Sequence, residues 1–311
     1  MRVAFVGKGG SGKTTMASAF AEFEAMQGKR VLALDADINQ HLAGSLGFTG
    51  TLRSLGVEMD RVKQHLRGEN TRFTLDEMRK TTPPGSGSTF VTLDDDDWFI
   101  GTYAQETRDV LVAGAGEIPE GNVGVRCYHG LNGAVELVLG HLLDRHDETV
   151  VVDMTAGADA FSSSLFAKVD VMVLVVEPTL KSLSVYDQFA EHITQHDLRL
   201  LVVANKVQDD DDRSFVEDRV GALAATIGQS TVVRRRERGE TDLRLDDDED
   251  LLGELGKLSV AVAKVPRDWS LLERRSHDLH TKNADNWMGA AAKRQIDTEF
   301  SLEEYATDLG Y

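Results

Sequence analysis

The residues best suited to chemistry form a glycine-rich run that ends in a lysine and two threonines. Residues 7–15 read Gly-Lys-Gly-Gly-Ser-Gly-Lys-Thr-Thr and match the phosphate-binding pattern G-x-x-x-x-G-K-[ST]. Glycines let backbone N–H groups turn inward around phosphate oxygens at the positive end of a helix. Lys13 would neutralise the β and γ oxygens, and the Thr14 hydroxyl would be offered to Mg²⁺. The predicted nucleotide contacts are Gly9, Gly10, Ser11, Gly12, Lys13, Thr14 and Thr15.

Such a loop requires a strand before it and a helix after it. Residues 2–6 form an apolar run typical of a buried strand, and residues 15–27 favour a helix. Strand-like runs alternate with helical stretches along the chain, which predicts an α/β fold with a doubly wound, mainly parallel sheet of the P-loop NTPase type and helices on both faces. The predicted strands cover residues 2–6, 30–34, 110–113, 149–152, 171–176, 200–204 and 259–263.

The chain has 311 residues, of which 41% are apolar, enough for one large α/β domain. We predict a nucleotide-binding domain over residues 1–270 and a C-terminal helical tail over 271–311 that packs on this domain or trails from it. An insertion or divergent lobe is predicted over residues 49–103. This lobe is either a contact surface for a partner or a decorated loop.

Lys8 gives the loop a second lysine near its start. The loop resembles the deviant Walker A sequence, K-G-G-x-G-K-[ST]-T, of the ParA/MinD class of P-loop ATPases. That class includes the nitrogenase iron protein and the nickel-insertion ATPases of carbon monoxide dehydrogenase maturation. The resemblance implies an ATP-hydrolysing homodimer in which Lys8 reaches the nucleotide of the other subunit, so hydrolysis by the isolated monomer would be slow.

Two predicted strands end in acidic segments that resemble the switch regions of this family. Asp35 and Asp37 follow the second strand, and the resemblance implies that Asp37 orients the attacking water while Asp35 lies closer to Mg²⁺. Asp153 follows a later strand and would hold Mg²⁺ through water, and Gly157 would let the backbone approach the γ-phosphate. Either aspartate taken alone also suits a helix N-cap after a strand.

Two further segments resemble the adenine-binding parts of the family. Asn205, at the end of a predicted strand, would read the base through its amide, although asparagine after a strand is also a common turn former. Pro266 would follow a late strand and cover the adenine. A guanine-reading N-K-x-D motif needs an aspartate where Gln208 stands, so ATP is favoured over GTP.

The single cysteine, Cys127, lies two residues before His129. The order of segments around it resembles the region where nickel-insertion ATPases carry a C-x-C pair at the dimer axis. A two-fold axis through the C-x-H pair here would assemble two thiolates and two imidazoles, which suit Zn²⁺ and could be offered to Ni²⁺ or Cu⁺. The alternative is a small buried cysteine beside a histidine at a helix entry.

The charge balance of the chain bears on its partners. Fifty-two acidic and thirty-four basic residues give a net charge of −18, which disfavours binding to nucleic acid and to anionic lipid. The tail over residues 297–305 is acidic, unlike a basic membrane-binding helix, and no membrane-spanning run or signal peptide is evident. We therefore predict a cytoplasmic protein with an unidentified client or adaptor. It is either a metallocentre-maturation ATPase or a spatial-organisation switch that works without a metal.

Overall fold

The computed structural model describes residues 1–117, 128–240 and 243–311. Its strands within these ranges form a single eight-stranded sheet in the order β3-β4-β2-β5-β1-β6-β7-β8. All neighbours pair in parallel except β3, which runs antiparallel to β4 at one edge. The strands are β1 (Arg2–Gly7), β2 (Arg30–Ala36), β3 (Gln105–Thr107), β4 (Val110–Gly114), β5 (Glu148–Met154), β6 (Val171–Val176), β7 (Leu200–Asn205) and β8 (Ala225–Ile227).

Helices cover both faces of this sheet. Alternate residues of β1 enter different cores: Ala4 and Val6 pack on one face, and Val3 and Phe5 on the other. The predicted doubly wound, mainly parallel α/β fold is therefore confirmed. Within the described ranges, every helix is too short or too polar to span a bilayer. The helices are α1 (Lys13–Met26), α2 (Leu42–Ser45), α3 (Met59–Arg67), α4 (Trp98–Tyr103), α5 (Tyr128–Gly140), α6 (Leu180–Gln195), α7 (Asp210–Val220), α8 (Thr231–Arg236), α9 (Glu249–Ala263), α10 (Trp269–Asn283) and α11 (Leu302–Asp308).

The strand predicted over residues 259–263 is wrong, because these residues end the helix α9. The side chain of Asp248 caps this helix by accepting a hydrogen bond from the Leu251 N–H at 3.0 Å. The buried side chains along α9 are spaced three or four residues apart, which places them on one helical face. They are Leu251, Leu255, Leu258 and Val262.

Residues 49–103 pack on the main domain through buried apolar side chains. Leu55, Val62, Leu66 and Phe99 are fully buried in the core on one face of the sheet. Burial of a large apolar side chain contributes about 1.5–3 kcal/mol, so this lobe is part of the folded core and not only a surface loop.

The C-terminal segment, residues 271–311, also packs on the domain. Arg275 of α10 donates to the carbonyl oxygens of His196 at 3.0 Å and Val169 at 3.3 Å. His280 is buried beside Thr81 of the lobe, with 3.1 Å between its Nδ1 and the threonine hydroxyl. The segment thus bridges the lobe and the main domain.

A buried ion network lies where strand β1 begins. The fully buried carboxylate of Asp144 accepts hydrogen bonds from Arg2 Nε at 2.8 Å and Arg267 Nη1 at 3.0 Å. Asp170 accepts from the Arg2 backbone N–H at 2.7 Å and from Arg267 Nε at 3.0 Å. Burial opposes ionisation of Asp144, but the charges of Arg267 and Arg2 hold its pKa well below the usual value.

Candidate nucleotide-binding site

The glycine-rich loop joins β1 to α1 in a conformation that depends on glycine. Gly10 and Gly12 have φ angles of 86° and 91°, in the left-handed region that other residues rarely adopt. A Cβ atom on Gly12 would lie 2.3 Å from Asn205 Nδ2, so this position admits no side chain. The Ser11 N–H donates to the Lys8 carbonyl at 3.0 Å and closes the turn.

The end of strand β7 clamps this loop. Asn205 Nδ2 donates to the Ser11 carbonyl at 2.8 Å, and Lys206 Nζ donates to the Gly10 carbonyl at 2.8 Å. Lys206 also pairs with Glu177 Oε1 at 2.5 Å. The contact with Ser11 uses one of the two hydrogens on Asn205 Nδ2, so the second hydrogen could donate to a base and Oδ1 could accept from one. Base recognition by Asn205 stays a prediction. Sequence reasoning missed Lys206, although the N-K pair was its signal.

The predicted catalytic and magnesium-binding residues meet at the start of α1. Lys13, which is only 8% exposed, places its Nζ 2.5 Å from Asp37 Oδ2 and 3.6 Å from Asp153 Oδ1. The Thr14 hydroxyl donates to Asp153 Oδ2 at 2.6 Å. Parallel strands bring their carboxyl ends to one edge of the sheet, and β1, β2 and β5 are neighbours, so residues far apart in sequence converge here.

Asp35 organises the loop that follows β2. Its carboxylate accepts hydrogen bonds from the backbone N–H groups of Asp37 at 3.1 Å and Leu42 at 2.9 Å. Burial, and next the charge of Asp153, raises the pKa of Asp35 to about 8. With both oxygens bonded to its own loop, Asp35 positions Asp37. Its proximity to Mg²⁺ remains a prediction.

Asp153 and Thr14 fit a magnesium ion. Asp153 Oδ1 is buried and has no hydrogen-bond partner among the described residues. Burial raises the pKa of Asp153 to about 6, against the opposing charge of Lys13. A carboxylate and a hydroxyl are oxygen ligands of the type that Mg²⁺ prefers, and a cation would relieve the cost of the buried charge.

The loop opens into a cleft of about 740 Å³, within the range that holds a nucleotide-sized ligand. Its far wall is formed by residues after β8 and by α8, including Gly228, Gln229, Val233 and Arg234. Sequence reasoning missed this wall because β8 has only three residues, too few for a clear alternating pattern.

Pro266 is not among the residues that line this cleft. It follows the helix α9 and immediately precedes Arg267, whose guanidinium pairs with Asp144 and Asp170 near the start of β1. Its predicted adenine contact has no support from this placement and stays a prediction.

Gly157 begins a 3₁₀ helix, Gly157–Ser162, shortly after Asp153. Its φ of 68° favours glycine, and the neighbouring Ala156 lines the cleft. Lys8 is partly buried at the start of the loop. Cys127 and the side chain of His129 lie outside the described part of the chain. In the part that is described, no cluster of three or more potential metal ligands is present. The zinc or nickel site predicted at Cys127 and His129 involves residues outside that part and stays a prediction.

The raised pKa values predict a pH dependence of stability. A carboxyl with a higher pKa in the folded state than in the unfolded state holds its proton more tightly when folded, so stability falls as pH rises between the two values. Between pH 6.5 and 8, without Mg²⁺ or nucleotide, we expect ionisation of Asp35 to lower the free energy of unfolding by on the order of 1 kcal/mol. Urea unfolding of the protein and of Asp35→Asn would measure this. The variant should show a smaller decrease, and equal pH profiles would contradict the assignment.

Comparisons with known proteins agree with this geometry. Residues 3–244 match the family model described as the CobQ/CobB/MinD/ParA nucleotide binding domain. The chain is 29% identical over 226 residues to an uncharacterized ATP-binding protein of Methanocaldococcus jannaschii, covering 71% of this chain and 82% of that one. It is 28% identical over 221 residues to the carbon monoxide dehydrogenase accessory protein CooC of Rhodospirillum rubrum, covering 70% and 79%.

Solved structures share the fold at low sequence identity. The cell division ATPase MinD of Pyrococcus furiosus aligns with a TM-score of 0.56 at 17% identity, covering 85% of this chain and 99% of that one. A putative plasmid partition protein of Borrelia burgdorferi bound to AMPPNP aligns with a TM-score of 0.55 at 13% identity, covering 85% and 98%. The family model spans well over half of the chain and includes the glycine-rich loop, Asp37 and Asp153. The chain therefore belongs to the CobQ/CobB/MinD/ParA family of nucleotide-binding P-loop proteins.

Proposed function

We propose that this protein is a Mg²⁺-dependent ATPase that works as a dimeric switch. The observation that carries the proposal is the convergence of Lys13, Thr14, Asp37 and Asp153 at the glycine-rich loop, with two short polar contacts of 2.5 and 2.6 Å. One cation, one hydroxyl and two carboxylates at the mouth of a phosphate-binding loop are the groups that phosphoryl transfer to water requires.

The proposed mechanism assigns a separate role to each side chain. Lys13 binds the β and γ oxygens, for which it must exchange its contact with Asp37, so phosphate binding releases Asp37 Oδ2 from the lysine. Asp37 then orients the attacking water. Thr14 and Asp153 would hold Mg²⁺, which would supply neutralisation of the phosphate charge. The loop after β2 thus responds directly to the γ-phosphate, which is the basis of a switch.

Lys8 would complete the site of a second subunit. It is partly buried at the loop start and forms no ion pair within the described residues. A lysine held at this edge can reach a nucleotide on a facing copy and stabilise developing charge there. We expect ATP turnover to rise with protein concentration. In Lys8→Ala, turnover should fall at least about tenfold while ATP binding is kept.

Phosphate release with ATP or GTP, with and without Mg²⁺, tests the proposal. The expected result is Mg²⁺-dependent release from ATP at a rate that increases with dimer formation, and weaker activity with GTP because Gln208 stands in place of an aspartate. The matched control is Lys264→Ala, because Lys264 is an exposed lysine at the end of α9. No ATP binding, or hydrolysis that is independent of Lys8 and of protein concentration, would contradict the dimeric switch.

Within this class we propose metallocentre maturation as the role of the switch. The supporting observations are the 28% identity to a carbon monoxide dehydrogenase accessory protein and the Cys-x-His spacing at residues 127–129. Two such pairs, one from each subunit, would offer two thiolates and two imidazoles to Zn²⁺ or Ni²⁺.

Metal content of anaerobically purified protein, locked with a non-hydrolysable ATP analogue, tests this role. We expect about one transition-metal ion per dimer, since two Cys-His pairs complete one four-coordinate site. Cys127→Ser should lose the metal. Metal-free dimers that still depend on nucleotide would contradict metallocentre maturation and favour a switch that positions cargo through adaptor proteins, a role that the membership in the MinD/ParA family also allows.

A further inference from the structure

A second cleft, of about 320 Å³, lies on the sheet face opposite α1 and away from the glycine-rich loop. One wall is the segment that follows Gly157, together with α6. The other wall is α10 and the π-helical turn Ala284–Met288, which lie beyond the residues matched by the family model. The second wall is therefore not part of the matched nucleotide-binding domain.

The charge of this cleft contrasts with that of the chain. None of its fourteen lining residues is an aspartate or glutamate, although the chain has fifty-two acidic residues and a net charge of −18. Lys80, Lys282, His192 and His196 all line it. Lys80 is balanced by Glu136 at 2.9 Å, whereas Lys282 is exposed and forms no ion pair within the described residues. The cleft thus presents the exposed charge of Lys282 and no carboxylate among its lining residues, on a protein that is acidic as a whole.

His192 lies in the last turn of α6, and His196 follows four residues later as the C-terminal cap of that helix, a spacing that can hold a metal ion. Burial, and then the charges of Lys282, His192 and Arg275, lowers the pKa of His196, while the charge of Asp278 opposes this shift. The positive charges of Lys282 and Arg275 near this ring disfavour a bound metal cation and favour a bound carboxylate.

Aromatic side chains give the cleft an apolar floor and rim. The Phe161 ring lies 4.4 Å from the His192 ring, and Phe166 lies 5.0 Å from His196. At the rim, Trp287 is 86% exposed. A small anion inside the cleft would leave this indole in water, whereas a peptide could cover it. Tryptophan is enriched among the residues that dominate protein interfaces.

We propose that this cleft, lined by Lys282, His196 and Trp287, is a docking surface for an acidic segment of a protein partner. The carboxylates of the segment would lie against Lys282 and the histidines, and an apolar side chain next to them would pack on Trp287. Charge complementarity of this kind selects partners and speeds their association. The docking surface does not depend on ATP hydrolysis, so its test is independent of the test of the proposed ATPase activity.

A random peptide library displayed on phage, selected against the purified protein, provides the probe. We expect selected sequences rich in Asp and Glu with one apolar or aromatic residue. Their synthetic peptides should bind about tenfold more weakly to Lys282→Glu and to Trp287→Ala, as expected for a contact of about 1.4 kcal/mol. Both positions are exposed, so the variants should keep the melting temperature of the parent protein.

Lys264→Glu makes the same charge change at an exposed lysine outside the cleft and should leave peptide binding within about twofold. Equal weakening by this control would show that net charge alone attracts the peptides and would overturn the proposal. Selected peptides that are not enriched in Asp and Glu would also overturn the proposal. Displacement of the peptides by equimolar inorganic phosphate would identify a small-anion site and also overturn it.

Discussion

Replacing Lys13 with alanine is expected to lower ATP turnover by at least about 100-fold, because the charge that forms on the transferred phosphoryl group then loses its nearest cation. Lys13 is 8% exposed and lies between Asp37 and Asp153. Without it, these two carboxylates and the nearby Asp35 face one another without a compensating charge. The variant should therefore lose ATP affinity as well as turnover.

Comparison with Asp37→Ala separates binding from chemistry. If Asp37 orients water, its loss should reduce turnover by a similar factor while ATP affinity is kept or increased, since Asp37 no longer competes with the phosphates for Lys13. Single-turnover phosphate release and titration with a fluorescent ATP analogue would measure the two quantities. A Lys13→Ala protein that hydrolyses ATP at the parent rate would refute the site. An Asp37→Ala protein that does so would remove only the water-orienting role.

The largest loss of stability is expected from Asp144→Ala, at about 3–5 kcal/mol in the free energy of unfolding. The side chain of Asp144 is fully buried and bonds the guanidinium groups of Arg2 and Arg267. Its removal takes this partner from three cations, the Met1 ammonium, Arg2 and Arg267, of which only Arg267 keeps a carboxylate in an ion pair, that of Asp170. A buried charge without a partner costs far more than a pair contributes.

Asp285→Ala is the matched control for Asp144→Ala. It removes an ion pair with Lys293 in which both side chains are about half exposed, and pairs of this kind contribute less than about 1 kcal/mol. Urea unfolding at pH 7 would compare the two variants, and equal losses would contradict the special role of the buried network. Because the folded-state pKa of Asp144 is lowered, its contribution should also be lost below about pH 4 in the parent protein.

The sequence predicted those parts of the site that depend on local patterns. The glycine-rich loop is contiguous. Asp37 directly follows β2 and Asp153 is the penultimate residue of β5, so both lie at the carboxyl ends of neighbouring parallel strands. The sheet was predicted for the same reason, because strands such as β6 are continuous apolar runs buried on both faces.

The parts that the sequence did not predict depend on tertiary contacts. The run at residues 259–263 is apolar and short, so periodicity alone does not distinguish a strand from the last turns of a buried helix. Likewise, the clamp that Lys206 forms on Gly10 joins residues 196 positions apart, so the Asn-Lys pair marks the end of a strand without showing which backbone group the lysine contacts. The proline turn expected at Pro266 also assumed a strand over residues 259–263, where the structure has a helix.

The clamp between β7 and the glycine-rich loop has a consequence for the order in which the protein becomes functional during synthesis. Ser11 and Asn205 are 194 residues apart, so the loop leaves the ribosome long before its partner does. At about 5–20 residues per second, this interval lasts roughly 10–40 s. The wall after β8 comes later still. Nascent chains would therefore acquire nucleotide affinity only after β7, β8 and the wall that follows β8 have been synthesised.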